Sequence, residues 1–487
     1  MRTINVLLLC VGFVASAAAD VKLPAVFSDG AVLQRESQAA IWGTARPGEK
    51  VTVTGSWNNQ AVVATTADTG RWSMRLATTS AAGPHTLRID GDNHIVLKDI
   101  LLGEVWIASG QSNMEMTVAG APGRLGGVIN VDQELEKSAD PQLQLFTVKR
   151  AISATPRTEC EGAWAAATPE TVGAFSATAY FFARELRRAM PDVPVGVISA
   201  SWGGTVCESW TSRATIDTMV DFKSALEALD GVAATQPVIT NPNGPTVLFN
   251  GMISPIVPFT MRGAIWYQGE SNIGRAAQYQ KLFPAMISDW RARWGQGEFP
   301  FYYVQIAPFG YRNDRGGAAE LREAQLVSAK TPNTGMAITM DIGDTADIHP
   351  RNKQEVGRRL ALWAQANTYG HKGVECSGPL YESMTVDGSE IRLKFAHGAG
   401  LRTRDGKPTT HCWVAGEDRR FVPAQSRIEN DTLILQSVDV RKSVAARHAW
   451  GAADETNLVN GADLPASSFR TDDWPAASVS FVIDPQR

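Results

Sequence analysis

The middle of the chain alternates short apolar segments with longer amphipathic ones, and this alternation constrains the fold more than any other feature. The apolar segments predict five strands: Glu104–Ala108, Val195–Ser199, Gly263–Tyr267, Phe301–Ile306 and Met336–Met340. The amphipathic segments predict four helices: Ala174–Met190, Ala276–Trp290, Ala318–Ala329 and Lys353–Ala366. In the first helix, apolar residues recur near helical spacing and predict a face that packs on the sheet. Alternating strands and helices predict an α/β fold, a parallel sheet with helices on both faces.

Two β-rich regions flank this middle region. Residues 20–98 contain short segments with period-two alternation, such as Val51-Thr52-Val53-Thr54, separated by turn residues. This pattern predicts a small β-sandwich domain. The segments "EIRLKF", "TLILQS" and "SVSFVI" predict a second small β domain over residues 371–487. The region between them, residues 99–370, is the predicted catalytic domain.

The first 19 residues have the pattern of a signal peptide. Arg2 is followed by the mostly apolar run Ile4–Val14, and small residues at 16–19 precede Asp20. This pattern predicts cleavage after Ala19 and export to the periplasm or the medium; an apolar first helix of the fold is the alternative. The run is too short to span a bilayer comfortably. Cys10 lies inside it rather than at its small-residue end, so no lipid or membrane anchor is predicted.

Charge and cysteine content narrow the possible partners. The net charge is −4 and no basic stripe is present, which argues against nucleic acid binding. The processed chain keeps four cysteines, and an oxidising compartment allows disulfides. A Cys376–Cys412 pair is plausible because both lie in the C-terminal β region, and a Cys160–Cys207 pair is open. Buried free thiols are the alternative for both pairs.

Clusters of small polar residues follow four of the predicted strands. They are "GQSN" at 110–113, "ASWGGT" at 200–205, "QGESN" at 268–272 and "DIGD" at 341–344, the last followed by "DIHP" at 347–350. Ligands of such sheets bind beyond the carboxyl ends of the strands. A serine nucleophile needs a base, a group that orients the base, and donors for the oxyanion. Each cluster alone is typical of a turn or a helix cap, but together they supply every part of a serine hydrolase site.

Other catalytic motifs are not matched. Met114 occupies the position of the second glycine of a Gly-x-Ser-x-Gly elbow, so the α/β-hydrolase turn is not predicted. The seven histidines form no His-x-x-x-His or His-x-His pair, and no Cys-x-x-Cys occurs. No metal or cofactor is therefore predicted; a metal site would have to be assembled from residues distant in sequence.

Longer motifs around these clusters resemble the sialate O-acetylesterase family of the SGNH hydrolase superfamily. The matching stretches are "GQSNM" at 110–114, "SWGGT" at 201–205, "LFNGMISPI" at 248–256, "RGAIWYQGESN" at 262–272, "DIHPRNKQEVGRRLAL" at 347–362 and "TNLVNGADLPASSFRTDDW" at 456–474. The resemblance runs from about residue 20 to the end of the chain. It implies an SGNH-type, flavodoxin-like parallel sheet and carbohydrate acetylesterase activity.

The resemblance also implies roles for individual residues. Ser112 would be the nucleophile and His349 the general base. The oxyanion would be held by the backbone N–H groups of Ser112 and Gly204 and by the side-chain amide of Gln268. Gln268 is preferred to Asn272 because it directly follows the strand, whereas the choice between Gly203 and Gly204 is open. The residues expected to line the sugar site are Asn113, Trp202, Glu270 and Asn272.

One position departs from the superfamily pattern. Many SGNH hydrolases have an aspartate three residues before the catalytic histidine, where this chain has Ala346. Asp347 lies two residues before His349 and can share one side with it if the loop is extended. Asp344 is a second candidate for orienting the imidazole, and a backbone carbonyl is a third.

These residues predict an enzyme that hydrolyses acetyl esters of sugars, with O-acetylated sialic acid as the expected substrate. An acetylesterase for hemicellulose, such as xylan or xyloglucan, is an alternative on the same scaffold. A non-catalytic carbohydrate-binding protein is another, since 14 tryptophans could stack on sugars. The predicted partner is an acetylated carbohydrate, and the sequence predicts no particular oligomeric state.

Overall fold

The computed structural model describes residues 20–121, 126–235, 239–312, 314 and 316–482. The predicted signal peptide lies outside these residues. Chain order begins with seven strands: β1 (Val32–Gln34), β2 (Gln38–Thr44), β3 (Lys50–Gly55), β4 (Ala61–Thr65), β5 (Arg71–Ala77), β6 (His85–Asp90) and β7 (His94–Gly110). Strand β3 pairs with β4 and β6, while β2 and β5 form a separate two-stranded ribbon. The N-terminal region is thus the small two-layer β structure that its alternation predicts.

Strand β7 belongs to two regions of the molecule. Its first half pairs antiparallel with β6, and its second half pairs parallel with strands of the central sheet. The predicted domain boundary at residues 98 and 99 therefore lies inside one continuous strand. The N-terminal β region and the central sheet share backbone hydrogen bonds through β7, and the three-domain division stays a prediction.

The central sheet has the order β13-β12-β11-β7-β10-β8-β9. Its further strands are β8 (Asp140–Thr147), β9 (Trp164–Ala167), β10 (Val195–Ser201), β11 (Gly263–Tyr267), β12 (Phe301–Val304) and β13 (Thr334–Ala337). All neighbours are parallel except the edge pair β8–β9. The α/β prediction is confirmed, and the bounds of β11 agree with the predicted strand. Strands β8 and β9 were not predicted.

Nine α-helices occur in the described ranges: α1 (Ser112–Glu115), α2 (Val131–Glu136), α3 (Pro169–Gly173), α4 (Ala177–Ala189), α5 (Arg213–Ile216), α6 (Lys223–Thr235), α7 (Ala276–Trp294), α8 (Gly317–Ser328) and α9 (Lys353–Trp363). Short 3-10 segments span Cys207–Trp210, Val220–Phe222, Ser254–Ile256, Glu270–Asn272 and Ala476–Ser478, and π-helical segments span Phe249–Ile253 and Ala364–Thr368. Helices α4, α7, α8 and α9 match the four predicted helices to within a few residues.

Helices cover both faces of the sheet, because successive strand residues point to opposite sides. On β7, Val105 and Ile107 belong to one buried cluster, which also holds apolar residues of α7 and α8. Trp106 and Ala108 belong to a second cluster on the other face, with apolar residues of α4 and α9. Complete burial of one such side chain, for example Phe182 of α4, contributes about 1.5–3 kcal/mol.

The C-terminal region is a β-sandwich. Its strands are β14 (Leu380–Asp387), β15 (Glu390–Ala396), β16 (Arg402–Thr403), β17 (Cys412–Ala415), β18 (Arg420–Pro423), β19 (Gln425–Glu429), β20 (Thr432–Gln436), β21 (Ala445–His448), β22 (Leu458–Val459), β23 (Phe469–Arg470) and β24 (Ser480–Phe481). A four-stranded sheet, β14-β15-β20-β19, and a five-stranded sheet, β23-β21-β17-β18-β24, share one apolar core.

The disulfide pairs considered from the sequence are not present. Cys160, Cys207, Cys376 and Cys412 are free thiols. The Cys412 thiol contacts the His448 ring. The Cys376 sulfur instead accepts a hydrogen bond from the Asn367 side chain, just after α9. The two sulfurs therefore lie in different surroundings. Within the described ranges, no helix combines the length and apolar character needed to cross a bilayer.

Candidate active site

The carboxyl ends of β7, β10 and β11 bring three of the predicted clusters together. Gly110, the last residue of β7, pairs with Ser201 of β10 on one side and with Tyr267 of β11 on the other. The chain segments that begin at Gln111 and Trp202 therefore leave the sheet side by side, together with the segment after Tyr267. The sheet register alone thus places the "GQSN" and "SWGGT" motifs at one edge.

Gly110 controls how the chain leaves β7. Its φ is +142°, and a Cβ at this position would lie 2.1 Å from the backbone oxygen of Tyr267. Only glycine fits such a close approach of two strands. The next residues form the short helix α1, with Ser112 as its first residue and the fully buried Met114 as its anchor. Ser112 is held at the strand end by this tight turn.

Ser112 and His349 line the same cavity. Its volume is about 610 Å³, and its other lining residues are Gln111, Glu115, Met116, Thr117, Ala121, Arg150, Trp202, Gly203, Gly204, Glu270, Ser271 and Ile348. Within the described part of the chain, no hydrogen bond joins the Ser112 hydroxyl to the His349 ring. Catalytic hydrogen bonds of this kind are often long without substrate and tighten when it binds.

Asp347 contacts His349 from two residues upstream. Its Oδ1 lies 3.3 Å from Nδ1 of His349 and accepts a 2.9 Å hydrogen bond from the His349 backbone N–H. Asp344 instead accepts hydrogen bonds from the backbone N–H groups of Ala346 and Asp347. The arrangement favours Asp347 as the group that orients the imidazole, with Asp344 shaping the turn.

The surroundings of His349 favour its neutral form. Burial lowers the pKa of His349 below its usual value, and the positive charge of Lys353 lowers it further, while Asp347 opposes both effects. A neutral imidazole can accept a proton from serine, as a general base must. The ring is therefore prepared for this role near neutral pH.

Two backbone N–H groups are available to an oxyanion in this cavity. Gly203 donates its N–H to Oε2 of Glu115 at 2.9 Å. In the described ranges, the N–H of Gly204 has no acceptor, and neither has that of Ser112 at the start of α1. Gly204 has a φ of +74°, which turns its peptide away from the strand direction. The geometry favours Gly204 over Gly203 as a donor.

The structure does not place Gln268 at the cavity. This side chain is fully buried, and its amide donates to Oδ1 of Asn272 at 2.6 Å and to the backbone oxygen of Thr205 at 3.2 Å. Gln111, by contrast, is a side-chain amide that borders the cavity. Its Oε1 accepts from the backbone N–H groups of Gly269 and Ser271, and the residue lines the cavity. The Gln111 amide nitrogen has no acceptor among the described residues.

Two of the four residues expected to contact sugar do line the cavity. Trp202 forms part of the wall, with the Arg150 guanidinium 5.3 Å from its ring centroid. Glu270 also lines it, and burial raises the pKa of its carboxyl.

Asn113 and Asn272 do not line the cavity. Asn272 is completely buried and connects neighbouring loops: it donates to Glu208 and accepts from the Cys207 backbone N–H. Asn113 is buried within a polar cluster behind the serine. A polar residue in a loop motif can face the cavity or the protein, and only packing decides which.

Sequence reasoning missed four residues of this region: Gln111, Glu115, Arg150 and Lys353. Glu115 and Arg150 form an ion pair at the cavity wall. Gln111 lies in the "GQSNM" motif, Glu115 directly follows it, and Lys353 lies in the motif at 347–362, so position in or beside a motif was a usable signal for these three. Arg150 lies in a segment with no motif. Among the residues that the structure describes, no three His, Cys, Asp or Glu side chains cluster closely enough to hold a metal ion.

Fold and cavity together define an α/β serine hydrolase. A family model for carbohydrate esterases of the sialic acid-specific acetylesterase type matches residues 102–365. Mouse sialate O-acetylesterase is 30% identical over 480 residues, covering 86% of this chain and 87% of the relative; the human enzyme is 30% identical over 477 residues, covering 89% and 88%. The crystal structure of a carbohydrate acetylesterase from Xanthomonas citri superposes with a TM-score of 0.84 at 37% identity, covering 93% of this chain and all of that one.

The chain belongs to this family of sialic acid-specific acetylesterases among the carbohydrate esterases. It is a carbohydrate O-acetylesterase, and the family resemblance inferred from the motifs is confirmed. The alternative of a non-catalytic carbohydrate-binding protein is set aside by the same finding.

Proposed function

We propose that this enzyme removes acetyl groups from O-acetylated sialic acid through an acetyl-serine intermediate on Ser112. The observation that carries the mechanism is one cavity that holds Ser112, His349 with its Asp347 contact, and two free backbone N–H groups. The sugar assignment is supported by the family description and by the relatives' names. Arg150 in the cavity wall offers a guanidinium to the sugar carboxylate.

The reaction proceeds in two half-reactions. His349 takes the Ser112 proton as the hydroxyl oxygen attacks the ester carbonyl, and the oxyanion is held by the N–H groups of Ser112 and Gly204. The tetrahedral intermediate collapses, His349 protonates the departing sugar oxygen, and the acetyl group stays on Ser112. Water, deprotonated by His349, then attacks the acetyl-serine carbonyl; as the second tetrahedral intermediate collapses, the imidazolium returns the proton to the Ser112 oxygen, and acetate is released. Asp347 stabilises the imidazolium in both halves.

Gln111 completes the proposed oxyanion site in place of Gln268. Its carbonyl oxygen is fixed by two backbone donors, which leaves its amide nitrogen available in the cavity. A third donor of this kind is worth about 10²–10³ in rate. The family-based expectation of a side-chain amide is kept, but the residue is different.

A second candidate substrate is an acetylated neutral sugar of hemicellulose. The Glu115–Arg150 ion pair favours this candidate. Glu115 already neutralises the positive charge of Arg150, with which a sialic acid carboxylate would otherwise pair. Trp202 in the cavity wall suits the apolar face of a neutral sugar equally well.

Acetate release from O-acetylated sialic acid, acetylated xylan and acetylated xyloglucan tests both candidates. Wild type is compared with Ser112→Ala, which we expect to fold normally and to lose about 10⁴-fold or more in turnover. Preference for sialic acid supports the first assignment, whereas preference for either polysaccharide supports the second. Near-normal turnover by Ser112→Ala would contradict the mechanism on every substrate.

We also propose that the enzyme acts outside the cytoplasm. The support is the sequence pattern of residues 1–19, with its basic start, apolar run and small residues before Asp20.

A further inference from the structure

A buried carboxamide lies between the serine loop and the histidine loop. Asn113 follows Ser112 directly, and its side chain is 1% exposed. Its Nδ2 donates to the backbone oxygen of Ile348 at 3.0 Å, immediately before His349, and to Oε1 of Glu270 at 2.6 Å. Its Oδ1 accepts a 2.6 Å hydrogen bond from Nζ of Lys353. One amide thus connects the nucleophile, the base and the loop after β11.

The backbone of Asn113 is held as well. Thr178, on helix α4, donates its hydroxyl to the Asn113 backbone oxygen at 3.1 Å. The side chain therefore starts from a fixed position, and its three hydrogen bonds act on the loops rather than on Asn113 itself. Displacing the Ile348 carbonyl would move the adjacent His349 relative to Ser112.

Lys353 is an unusual residue to find behind this amide. Its side chain is completely buried, and its ammonium lies 5.3 Å from the ring centroid of Tyr267. Among the described residues, no carboxylate oxygen lies within 4.0 Å of this nitrogen. A buried charge without an ion pair costs stability, so the contribution of Lys353 to folding alone does not account for its charge.

We propose that Asn113 and Lys353 are positioning residues of the catalytic site: the Asn113 carboxamide couples the Ser112 loop to the His349 loop, and Lys353 fixes the orientation of that carboxamide. Glu270 is the second acceptor of the same amide. The oxygen and nitrogen of a primary amide can exchange places without changing its shape. Because the Lys353 ammonium only donates hydrogen bonds, it must face the Asn113 oxygen, and this fixes the orientation of the amide. The proposal rests on the proposed function, since it assigns these residues through Ser112 and His349.

The ionisable groups around Lys353 support a second effect on the base. Glu270 from the segment after β11, Asp347 and His349 from the histidine loop, and Tyr267 of β11 all face this region, and Tyr311 interacts with Glu270. Burial lowers the pKa of Lys353 to about 7, against the opposing charges of Glu270 and Asp347. Below that pH the ammonium is charged and disfavours a second charge on His349. Lys353 thereby favours the neutral imidazole that catalysis requires.

The test compares pH profiles of kcat/KM for an aryl acetate in wild type, Lys353→Met and Lys353→Arg. Lys353→Met removes the charge and leaves the Asn113 oxygen without its donor. We expect kcat to fall by about 10²-fold, as for a misplacement of about 1 Å, with KM little changed because Lys353 does not line the cavity. The acidic limb moves to higher pH, because the imidazolium is no longer disfavoured by a neighbouring positive charge. Lys353→Arg keeps the charge and should leave that limb at the wild-type pH.

Asn113→Asp provides a second variant that preserves volume. A carboxylate still accepts from Lys353 but cannot donate to Ile348, so kcat should fall while KM stays. Asn460→Asp is the matched control: Asn460 is 1% exposed in the C-terminal sandwich, and its Nδ2 also donates to two acceptors, the backbone oxygens of Ser377 and His397. This control should lose stability but keep the kcat of its folded fraction and its pH profile.

The outcomes separate the two proposals. The positioning role is overturned if Lys353→Met folds, keeps a normal kcat and leaves the acidic limb of the kcat/KM profile unmoved. This holds even if Ser112→Ala is inactive. Activity that survives in Ser112→Ala would instead overturn the proposed function. The positioning role is supported if the acidic limb shifts in Lys353→Met and kcat falls in Asn113→Asp, while Asn460→Asp shows neither change.

Discussion

Burial and two nearby charged residues act on the protonation state of His349. Burial lowers the pKa of its imidazole, the positive charge of Lys353 lowers it further, and Asp347 raises it. Asp347 is recognisable in the sequence because it adjoins the histidine in the "DIHP" motif. Lys353 lies four residues further on in the same motif, but the sequence does not show that it is buried, because a lysine in such a segment is ordinarily solvent-exposed. Its effect depends on burial, which only the packing of α9 against α4 and the sheet reveals.

Asp347→Asn should move the acidic limb of kcat/KM to lower pH, opposite to Lys353→Met, because removing the carboxylate removes the charge that favours the imidazolium. We expect kcat to fall by about 10- to 100-fold, less than the ~10⁴ for a buried triad aspartate, since the Asp347 side chain is 46% exposed. Asp344→Asn serves as the control and should leave the limb in place. If Asp344→Asn moves the acidic limb and Asp347→Asn does not, the orienting role belongs to Asp344.

Secondary-structure elements bring the site residues into register. Strands β7, β10 and β11 were visible in the sequence as apolar runs, and their parallel order follows from the intervening helices. Strand β9 was missed because a parallel sheet gave no reason to expect an antiparallel strand at its edge, whereas β8, which pairs parallel with β10, was simply not recognised. Helix α9, which begins at Lys353, packs against α4 on one face of the sheet. The contact between these helices therefore supports the histidine side of the site.

Gly357→Ala tests that contact. A Cβ on Gly357 of α9 would lie 2.5 Å from Cβ of Phe181 and 2.6 Å from the backbone nitrogen of Phe182, both on α4. We expect the free energy of unfolding to drop by about 1–3 kcal/mol, although alanine is the better helix former. Gly231→Ala in α6 is the control, because among the described residues no atom outside the neighbouring turns of α6 lies within 4 Å of its added Cβ. Chemical denaturation measures both; equal or higher stability of Gly357→Ala would show that the helices can separate at little cost.

At the scale of the whole molecule, the C-terminal sandwich is joined to the catalytic region by buried polar contacts. Arg322 of α8 is completely buried and donates to the backbone oxygen of Gly451 at 2.6 Å. Gln305 donates to Ser467 at 2.8 Å. Ion pairs Arg404–Asp341 and Arg470–Glu323 connect the same two regions. On the other side, β7 connects the N-terminal region covalently and through its sheet pairing, so the regions share their stability.

Denaturant unfolding should therefore show one transition, with loss of esterase activity coinciding with the change in tryptophan fluorescence. Arg322→Met should move both curves together by about 1–3 kcal/mol, because the Gly451 carbonyl loses its donor. Arg88→Met, at an exposed arginine of β6, should change stability by less than about 0.5 kcal/mol. Activity lost well before the fluorescence change would show that the regions unfold separately.

The sequence by itself determined the alternation of strands and helices, the α/β class, the flanking β regions, and the motifs that carry Ser112 and His349. These features depend on local periodicity and on neighbours along the chain. The tertiary structure alone decided which polar side chains face the cavity. Asn113 lies in the motif of Ser112, and Gln268 and Asn272 lie in the "QGESN" cluster, yet their hydrogen bonds go to protein partners. The physical reason is that a loop side chain satisfies its donors with whatever groups packing brings near, and those groups come from segments distant in sequence.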